Sequence, residues 1–255
     1  MFFMSHFDKK TSQALRLVAV AATLGLAGLT VHAEEESALK GWSVYLGGAY
    51  IHVNVAPNHF TTDTPTPVDV AQAEHGTTAG LAVDDKATVG FGVVYRFNPK
   101  WSAELALGIP PEHSVTGTDA IQSFGQVALV KQAPPSAFLN YHFDEVLPGF
   151  SPFVGLGVNY TKFTRTRSTQ AGDAAAGGPT KIKLSPSWGL TGHVGGTYQI
   201  DNHWSVVGTV AYADVKSTVT NTTEANVGDG PMTVVRKDKL NFRPLVYTLS
   251  VGYAF

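Results

Sequence analysis

The strongest constraint on this chain is a two-residue alternation of large apolar side chains with small or polar ones. In the closing segment LVYTLSVGYAF (245–255), every second residue is Leu, Tyr, Val or Phe, and the residues between them are Val, Thr, Ser, Gly and Ala. Successive side chains of a β-strand point to opposite faces of the sheet. The pattern therefore predicts a strand with one bulky apolar face and one face of smaller side chains.

Seven earlier segments repeat the pattern: WSVYLGGAY, TVGFGVVYRF, WSAELALGI, PSAFLNYHF, FVGLGVNYT, SWGLTGHVGGTYQI and WSVVGTVAY. A soluble β-sandwich also alternates, but it places charged side chains on the face that meets water. Here that face carries mainly Gly, Ala, Ser, Thr and Asn, which suit the crowded interior of a small closed barrel. Charged residues make up only 15% of the chain, below the roughly 25% of typical soluble domains.

Aromatic residues and connection lengths indicate how such a barrel is placed. The aromatic residues near strand ends are Trp42, Trp101, Trp188 and Trp204, with Tyr50, Tyr160 and Tyr212 towards the far ends of their strands. Two aromatic girdles that flank an aliphatic band are typical of a bilayer-spanning barrel. Short connections at 98–100, 144–151 and 201–203 alternate with long polar ones at about 54–85, 111–126, 164–184 and 216–239. We therefore predict an all-β fold, an eight-stranded antiparallel transmembrane β-barrel with short periplasmic turns and long extracellular loops.

The first 33 residues have the organisation of a secretory signal peptide. Basic residues precede the apolar run 17–29, and the small-residue pattern VHA follows at 31–33. The run is shorter than the ~20 residues that a membrane helix needs. We predict a signal peptide at 1–33, a barrel domain at 34–255 and the bacterial outer membrane as the location.

Motifs for catalysis, metal binding and nucleic-acid binding are missing from the sequence. The chain has no cysteine, which excludes a disulfide scaffold and thiol chemistry. It has no Gly-x-Ser-x-Gly elbow, no His-x-x-x-His spacing and no basic stripe along the sequence. We expect no enzyme activity, no cofactor and no metal. We expect His59, His75 and His113 to lie on loop surfaces, and His142 and His193 to face the lumen.

Several segments resemble the outer-membrane protein W (OmpW) family. They are LGIPPEHSVTGT (107–118), PPSAFLNYHF (134–143), FSPFVGLGVNYTKF (150–163), the stretch 187–218 and RPLVYTLSVGYAF (243–255). The resemblance implies a barrel that extends beyond the membrane and holds a narrow, largely hydrophobic channel for small apolar molecules; alkane-uptake proteins belong to the same family. It also implies that Tyr253 and Phe255 form the signal read by the barrel-assembly machinery. The first long loop is polar and Pro-rich, so the substrate preference of relatives is not carried over.

Two sets of residues near the extracellular end are candidates for a solute path. Apolar side chains that could line it are Ile109, Phe124, Val127, Leu129 and Phe138, although a structural plug is an equal alternative. Proline pairs that interrupt strand pairing stand at Pro110 and Pro111 and at Pro134 and Pro135. We predict that the wall opens sideways into lipid at these prolines.

Arg96 and Glu104 fall on the inward face of strands joined by the turn at 98–100. A long side chain can reach a diagonal neighbour across a strand pair, and an unpaired charge in a narrow lumen is costly. We predict a luminal ion pair between them, with a stabilising role favoured over a gating role.

The sequence favours a monomeric barrel through which small hydrophobic solutes diffuse passively. Its expected partners are outer-membrane lipid, the barrel-assembly machinery and those solutes, without nucleic acid. The alternative is a structural or surface-interaction barrel whose long loops act as a receptor or adhesion surface without through-transport. An enzyme ranks third.

Overall fold

The computed structural model describes residues 41–55, 61–62, 79–227 and 230–255. The predicted signal peptide, residues 1–33, lies outside these ranges, as do His59 and His75, so the predictions for them stay untested. In the described part of the chain, no helix is long and apolar enough to cross a membrane.

The described ranges contain fifteen strands and one short α-helix. In chain order these are β1 Gly41–His52, β2 Thr61–Thr62, β3 Ala79–Val83, β4 Lys86–Asn98, β5 Trp101–Gly108, β6 Glu112–Asp119, β7 Gln126–Ala133, β8 Ser136–His142, β9 Phe150–Ser168, α1 Gln170–Ala176, β10 Thr180–Leu184, β11 Ser187–Gln199, β12 Trp204–Ala213, β13 Val215–Val227, β14 Gly230–Phe242 and β15 Leu245–Ala254. A single 3₁₀ turn at Gln122–Phe124 precedes β7.

Eight of these strands close into an antiparallel barrel in the order β1-β4-β5-β8-β9-β11-β12-β15, and β15 pairs back onto β1. The eight-stranded prediction is therefore confirmed. Short connections at 99–100, 143–149 and 200–203 join strands at one end of the barrel, which we call the turn end. The four long connections lie at the opposite end, which we call the extension end.

The two faces of the barrel wall follow the alternation in the sequence. In β1, Trp42, Val44 and Leu46 point outwards and are exposed, while Ser43 and Tyr45 point into the lumen. The exposure of outward side chains reaches 59% for Trp42 and 78% for Leu156 on β9. In the described ranges, no protein layer covers this apolar band. The large side chains lie on the outer face because the lumen has room only for small ones.

Aromatic rings border the band at both ends. At the turn end, Trp42 packs on Tyr95 with ring centroids 4.8 Å apart, and Trp101 packs on Tyr141 at 5.1 Å. At the extension end, Tyr160 packs on Trp188 at 4.7 Å. The two predicted girdles are therefore present, with Trp188 at the opposite end of the barrel from Trp42 and Trp101.

Strands extend the wall beyond the barrel, where the sequence had indicated long polar loops. The upper part of β9 pairs with β7, which continues through β6 to β3. A second sheet has the order β10-β13-β14-β2. The first of these layers buries a small apolar core, Val115, Ile121, Val127 and Ala128, against which Ile182 of β10 and Ala175 of α1 pack. We call this part of the chain the extension.

Candidate functional site: the lumen and a gap in the barrel wall

The lumen holds a narrow cavity of about 240 Å³, lined by side chains from all eight barrel strands. Most of the lining is small: Ala49, Gly90, Ala106, Thr88, Ser136, Thr191, Thr209, Thr248 and Ser250 are examples. Inward residues from both ends of the barrel line this cavity. Larger side chains between the two ends narrow it. These larger groups form two polar clusters, which we call the upper and the lower network.

The upper network is centred on the carboxylate of Glu104. Tyr45 donates its hydroxyl to Oε1 of Glu104 at 2.7 Å, and Asn140 donates Nδ2 to Oε2 at 2.7 Å. Because Asn140 uses its amide nitrogen in this way, its Oδ1 accepts from Nε2 of His193 at 2.8 Å. Nε2 of His193 also lies 3.9 Å from the carboxylate. Tyr45 and Asn140 thus donate directly to the buried carboxylate, and His193 is linked to it through Asn140.

Two aromatic rings hold the upper network in place. Phe138 stacks on His193 with ring centroids 4.0 Å apart and planes 6° from parallel. Phe153 meets the same imidazole edge-on at 5.4 Å. Both phenylalanines are buried. The imidazole therefore keeps one orientation, with its Nε2 facing Asn140.

Two glycines make room for the upper network. A Cβ on Gly155 would lie 2.5 Å from Cδ2 of His193 and would also collide with Oδ1 of Asn140. A Cβ on Gly92 would lie 2.5 Å from the Tyr45 hydroxyl. The small-residue face of the sequence pattern thus has a specific use, because only glycine leaves space here for larger side chains on neighbouring strands.

The lower network lies nearer the turn end and contains Arg96. Nη2 of Arg96 contacts Nδ1 of His142 at 3.1 Å, and Nε2 of His142 contacts the Ser102 hydroxyl at 2.8 Å. A guanidinium can only donate, so Nδ1 of His142 accepts and its Nε2 carries the proton donated to Ser102. Nη1 of Arg96 also donates to the carbonyl of Pro99 at 3.3 Å.

The predicted ion pair between Arg96 and Glu104 is not formed. Both side chains face the lumen as expected, but the ion pairs within 4.0 Å in the described ranges do not include this one. Each charge has acquired other partners at its own level of the barrel. Glu104 bonds to Tyr45 and Asn140 instead, and Arg96 bonds to His142 and the Pro99 carbonyl. The prediction failed because sequence spacing does not reveal these competing partners.

The barrel wall has a gap at the four predicted prolines. β5 pairs with β8 up to Ala106 and Ser136, and pairing resumes between β6 and β7 at Glu112 and Lys131. Residues 107–111 and 132–135 between these points make no pairs with each other. The walls on both sides stay intact, because Ile109 N donates to the Val89 carbonyl at 2.9 Å and Tyr160 N donates to the Pro135 carbonyl at 2.9 Å.

The cavity reaches this gap. Ile109, Pro111, Gln132 and Pro134 line it together with luminal residues of all strands. Ile109 is also 55% exposed, and the alternation along β5 directs its side chain to the outward face. One side chain thus borders both the internal cavity and the outer surface of the barrel.

Of the five residues predicted to line the channel, two line the cavity and three do not. Phe138 lies in the lumen and Ile109 at the gap, and both line the cavity. Val127 is buried in the core of the extension, Phe124 ends the exposed 3₁₀ turn, and Leu129 lies on β7; none of the three lines the cavity. They were misplaced because the sequence did not reveal that β7 belongs to the extension.

His113 and Asp85, towards the extension end, both have pKa values shifted from their ordinary values. His113 was expected on a loop surface, but only 2% of its side chain is exposed, and its Nδ1 lies 2.9 Å from the Asp84 carbonyl. Burial lowers the pKa of His113 below its ordinary value. Burial acts to raise the pKa of Asp85, but hydrogen bonds from His52, the Tyr50 hydroxyl and Val53 N outweigh it and lower that pKa.

Sequence reasoning did not single out Tyr45, Asn140 or Ser102 as site residues, although it placed all three on inward faces. The signal that could have found them is a hydrogen-bonding side chain among glycines and alanines on the luminal face. It did correctly place His142 and His193 in the lumen, where both are buried and hydrogen-bonded.

The closed eight-stranded wall, its exposed apolar band and the two aromatic girdles define an outer-membrane-type β-barrel. A sequence model described as the OmpW family matches residues 49–255. The chain therefore belongs to the OmpW family, and its location is the outer membrane.

Three similar proteins give the extent of this relationship. Outer membrane protein W of Escherichia coli (strain K12) is 30% identical over 192 residues, covering 75% of this chain and 84% of the relative. The crystal structure of the outer membrane protein OprG from Pseudomonas aeruginosa matches with a TM-score of 0.69 at 27% identity, covering 85% of this chain and 96% of that one. The dibenzothiophene metabolism operon protein PahQ of Pseudomonas aeruginosa is 26% identical over 180 residues, covering 71% of this chain and 76% of the relative.

Proposed function

We propose that this barrel is a passive channel that admits small apolar molecules at the extension end and releases them sideways through the gap in its wall. The observation that carries the proposal is the position of Ile109, Pro111 and Pro134, which line the luminal cavity in the segments where strand pairing is interrupted. An interrupted ladder leaves an outlet beside Tyr160 of the outer aromatic girdle, where the lipid-facing apolar band ends.

The two luminal networks favour this sideways route over passage along the barrel axis. Glu104, Asn140 and His193 are buried and hydrogen-bonded to one another, and they narrow the lumen below the gap. An apolar solute that moved past them would have to displace these bonds without replacing them, which is costly. A solute that left through the gap would avoid that step.

The solute class in this proposal is small and mainly apolar. A cavity of about 240 Å³ with hydroxyl and methyl groups on its walls has room for a compact molecule only. A relative is named for a dibenzothiophene metabolism operon, and dibenzothiophene is a compact apolar aromatic compound. The proposal also includes a monomer surrounded by outer-membrane lipid and inserted by the barrel-assembly machinery, without cofactor, nucleic acid or enzymatic activity.

The luminal path is tested by filling the cavity. Gly90 faces the lumen, and a Cβ there would meet only Ala49 Cβ at 3.5 Å and the Leu107 carbonyl at 3.9 Å. Gly90→Phe therefore places a ring in the cavity. Gly208 faces outwards, and its Cβ would meet only the Thr248 carbonyl at 3.9 Å, so Gly208→Phe is the matched control. Uptake of a small aromatic hydrocarbon by cells should fall to the level of cells without the protein for Gly90→Phe alone.

The gap is tested by restoring residues that can join the ladder. Pro111→Val with Pro134→Val returns two backbone N–H donors to the interrupted strands. We expect slower uptake than with Pro148→Val, a substitution in the exposed turn at 143–149. Unchanged uptake in both proline variants would reject the sideways outlet. Equal uptake with and without the protein would reject transport altogether and leave the surface-interaction barrel as the remaining function.

A further inference from the structure

Five exposed basic side chains gather on one outer face of the extension, which we call the basic face. They are Lys162, Arg165 and Arg167 on β9 and Lys181 and Lys183 on β10. In the sequence they are spread over two separate segments. Strand packing brings these segments together.

A β-bulge in β9 creates one half of this face. Up to Lys162, the outward residues of β9 are the even-numbered ones, including Tyr160. Between Phe163 and Arg165 the register with β7 slips by one residue. A bulge exchanges the two faces of a strand beyond it. The outward set therefore becomes odd-numbered and includes Arg165 and Arg167.

The inner core of the extension fixes the other half. Ile182 packs inwards against that core, and its carbonyl accepts from the Thr166 hydroxyl at 2.6 Å. Because neighbouring side chains of a strand alternate, Lys181 and Lys183 must point outwards. The bond to Thr166 places them beside the two arginines of β9.

The basic face has little compensating charge. In the part of the chain that the structure describes, four of its members have no carboxylate oxygen within 4.0 Å, and Arg167 Nη2 lies 3.4 Å from Oε1 of Glu112. Three other lysines do have acidic partners: Lys86 pairs with Asp84, Lys100 with Asp144 and Lys216 with Asp214. Neighbouring like charges repel. An anionic partner would relieve that repulsion.

The height of the basic face above the apolar band limits what this partner can be. The ring pair of Tyr160 and Trp188 marks the outer aromatic girdle. At a rise of about 3.3 Å per residue and a tilt of about 40°, Lys162 lies roughly 5 Å above Tyr160 along the barrel axis and Arg167 roughly 18 Å above it. The polar layer of a phospholipid leaflet is only about 5 to 8 Å thick. The face begins in that layer and continues beyond it.

We propose that the basic face binds an outer-leaflet glycolipid whose headgroup carries several phosphate groups. Phosphate oxygens accept charge-assisted hydrogen bonds from Arg and Lys. A headgroup of phosphorylated sugars can present phosphates at more than one height, which matches the vertical spread of the five cations. The acyl chains of the same molecule would lie against the exposed apolar residues below Tyr160.

The proposal is tested with lipid A as the probe. The folded protein is placed in phosphatidylcholine nanodiscs that contain bisphosphorylated lipid A, and lipid A retained after detergent exchange is quantified by native mass spectrometry. The test variant is Lys162→Gln with Arg165→Gln and Lys183→Gln. The control removes three paired charges at Lys86, Lys100 and Lys216 by the same substitution. From the contribution of single basic residues near anionic surfaces, the test variant should lose roughly 100-fold in affinity and the control should change little.

Three outcomes would overturn the proposal. The first is equal retention of lipid A by the test variant and the control. The second is that the unmodified protein retains phosphatidylglycerol or dephosphorylated lipid A as strongly as bisphosphorylated lipid A. That result would show only a general attraction to anionic or acylated lipid. The third is binding of a soluble sulfated polysaccharide through the same three residues without retention of lipid A. Because all the substituted side chains lie on the surface, tryptophan fluorescence of each variant should match that of the unmodified barrel.

Discussion

The packing around Gly155 gives a quantitative test of the upper network. In Gly155→Ala the new methyl group would lie 2.5 Å from Cδ2 of His193, whereas ordinary contact begins at 3.4 Å. The imidazole must therefore retreat by about 1 Å and lose its 2.8 Å bond to Asn140. Overpacking costs about 1 to 3 kcal/mol and the lost hydrogen bond about 0.5 to 1.5 kcal/mol. The reduced freedom of the unfolded chain offsets about 0.4 to 1 kcal/mol.

The expected net loss of unfolding free energy for Gly155→Ala is therefore about 0.5 to 4 kcal/mol. Urea unfolding from lipid vesicles, followed by tryptophan fluorescence, measures it. Gly208→Ala is the control, because the nearest atom to its new methyl group is the Thr248 carbonyl at 3.9 Å. That control should leave stability unchanged or raise it by up to about 1 kcal/mol.

A double-mutant cycle separates loss of the network from general strain. If Asn140 is first replaced by alanine, the bond that Gly155→Ala breaks is already absent. The cost of Gly155→Ala should then fall by at least the value of that bond, about 0.5 to 1.5 kcal/mol. Equal stability of Gly155→Ala and Gly208→Ala, or strict additivity in the cycle, would refute the described packing.

Three further predictions concern the extension and the chain terminus. Burial lowers the pKa of His113, so below the ordinary pKa of 6.5 the unfolded state binds more protons than the folded state. The extension should therefore be fully stable above that pH and lose stability as the pH falls. Hydrogen exchange of β6 amides measures this loss, and the pH dependence should weaken in His113→Gln. The lowered pKa of Asp85 means that its bond to Val53 N should survive acidification to below pH 3.8, so an amide shift of Val53 that titrates at the ordinary value would contradict it. Phe255 is 77% exposed while its N–H donates to the Trp42 carbonyl at 3.0 Å, so Phe255→Ala should leave the stability of refolded barrels within about 0.5 kcal/mol and lower their abundance in the outer membrane. Unchanged abundance would contradict the assembly-signal role of the terminal aromatic residue.

The extension shows where sequence patterns stop being informative. The segment VKSTVTNTTEANV of β13 carries Thr, Asn, Lys and Glu, so it was assigned to a long polar loop. Its inward residues Val215, Val219 and Ala225 are nevertheless buried. Outside the membrane the outer face meets water, so the bulky apolar half of the alternation disappears. The remaining small inward residues resemble loop composition.

The basic face is a second feature that sequence reading missed. Arg165 and Lys183 lie on different strands, and no basic stripe runs along the chain. The bulge near Phe163 decides which side chains of β9 point outwards. A register slip is set by the whole strand pair, because one extra residue can be accommodated at several positions of similar local sequence.

The sequence by itself determined the eight barrel strands, their inward and outward faces and the short turns. These follow from local alternation, because each wall position meets either the crowded lumen or the apolar surroundings. Only the tertiary structure decided the partners of Arg96 and Glu104, the extension strands and the continuity between cavity and gap. The physical reason is that luminal contacts join side chains from several strands, and their distances depend on register and strand tilt around the closed barrel rather than on spacing along the chain.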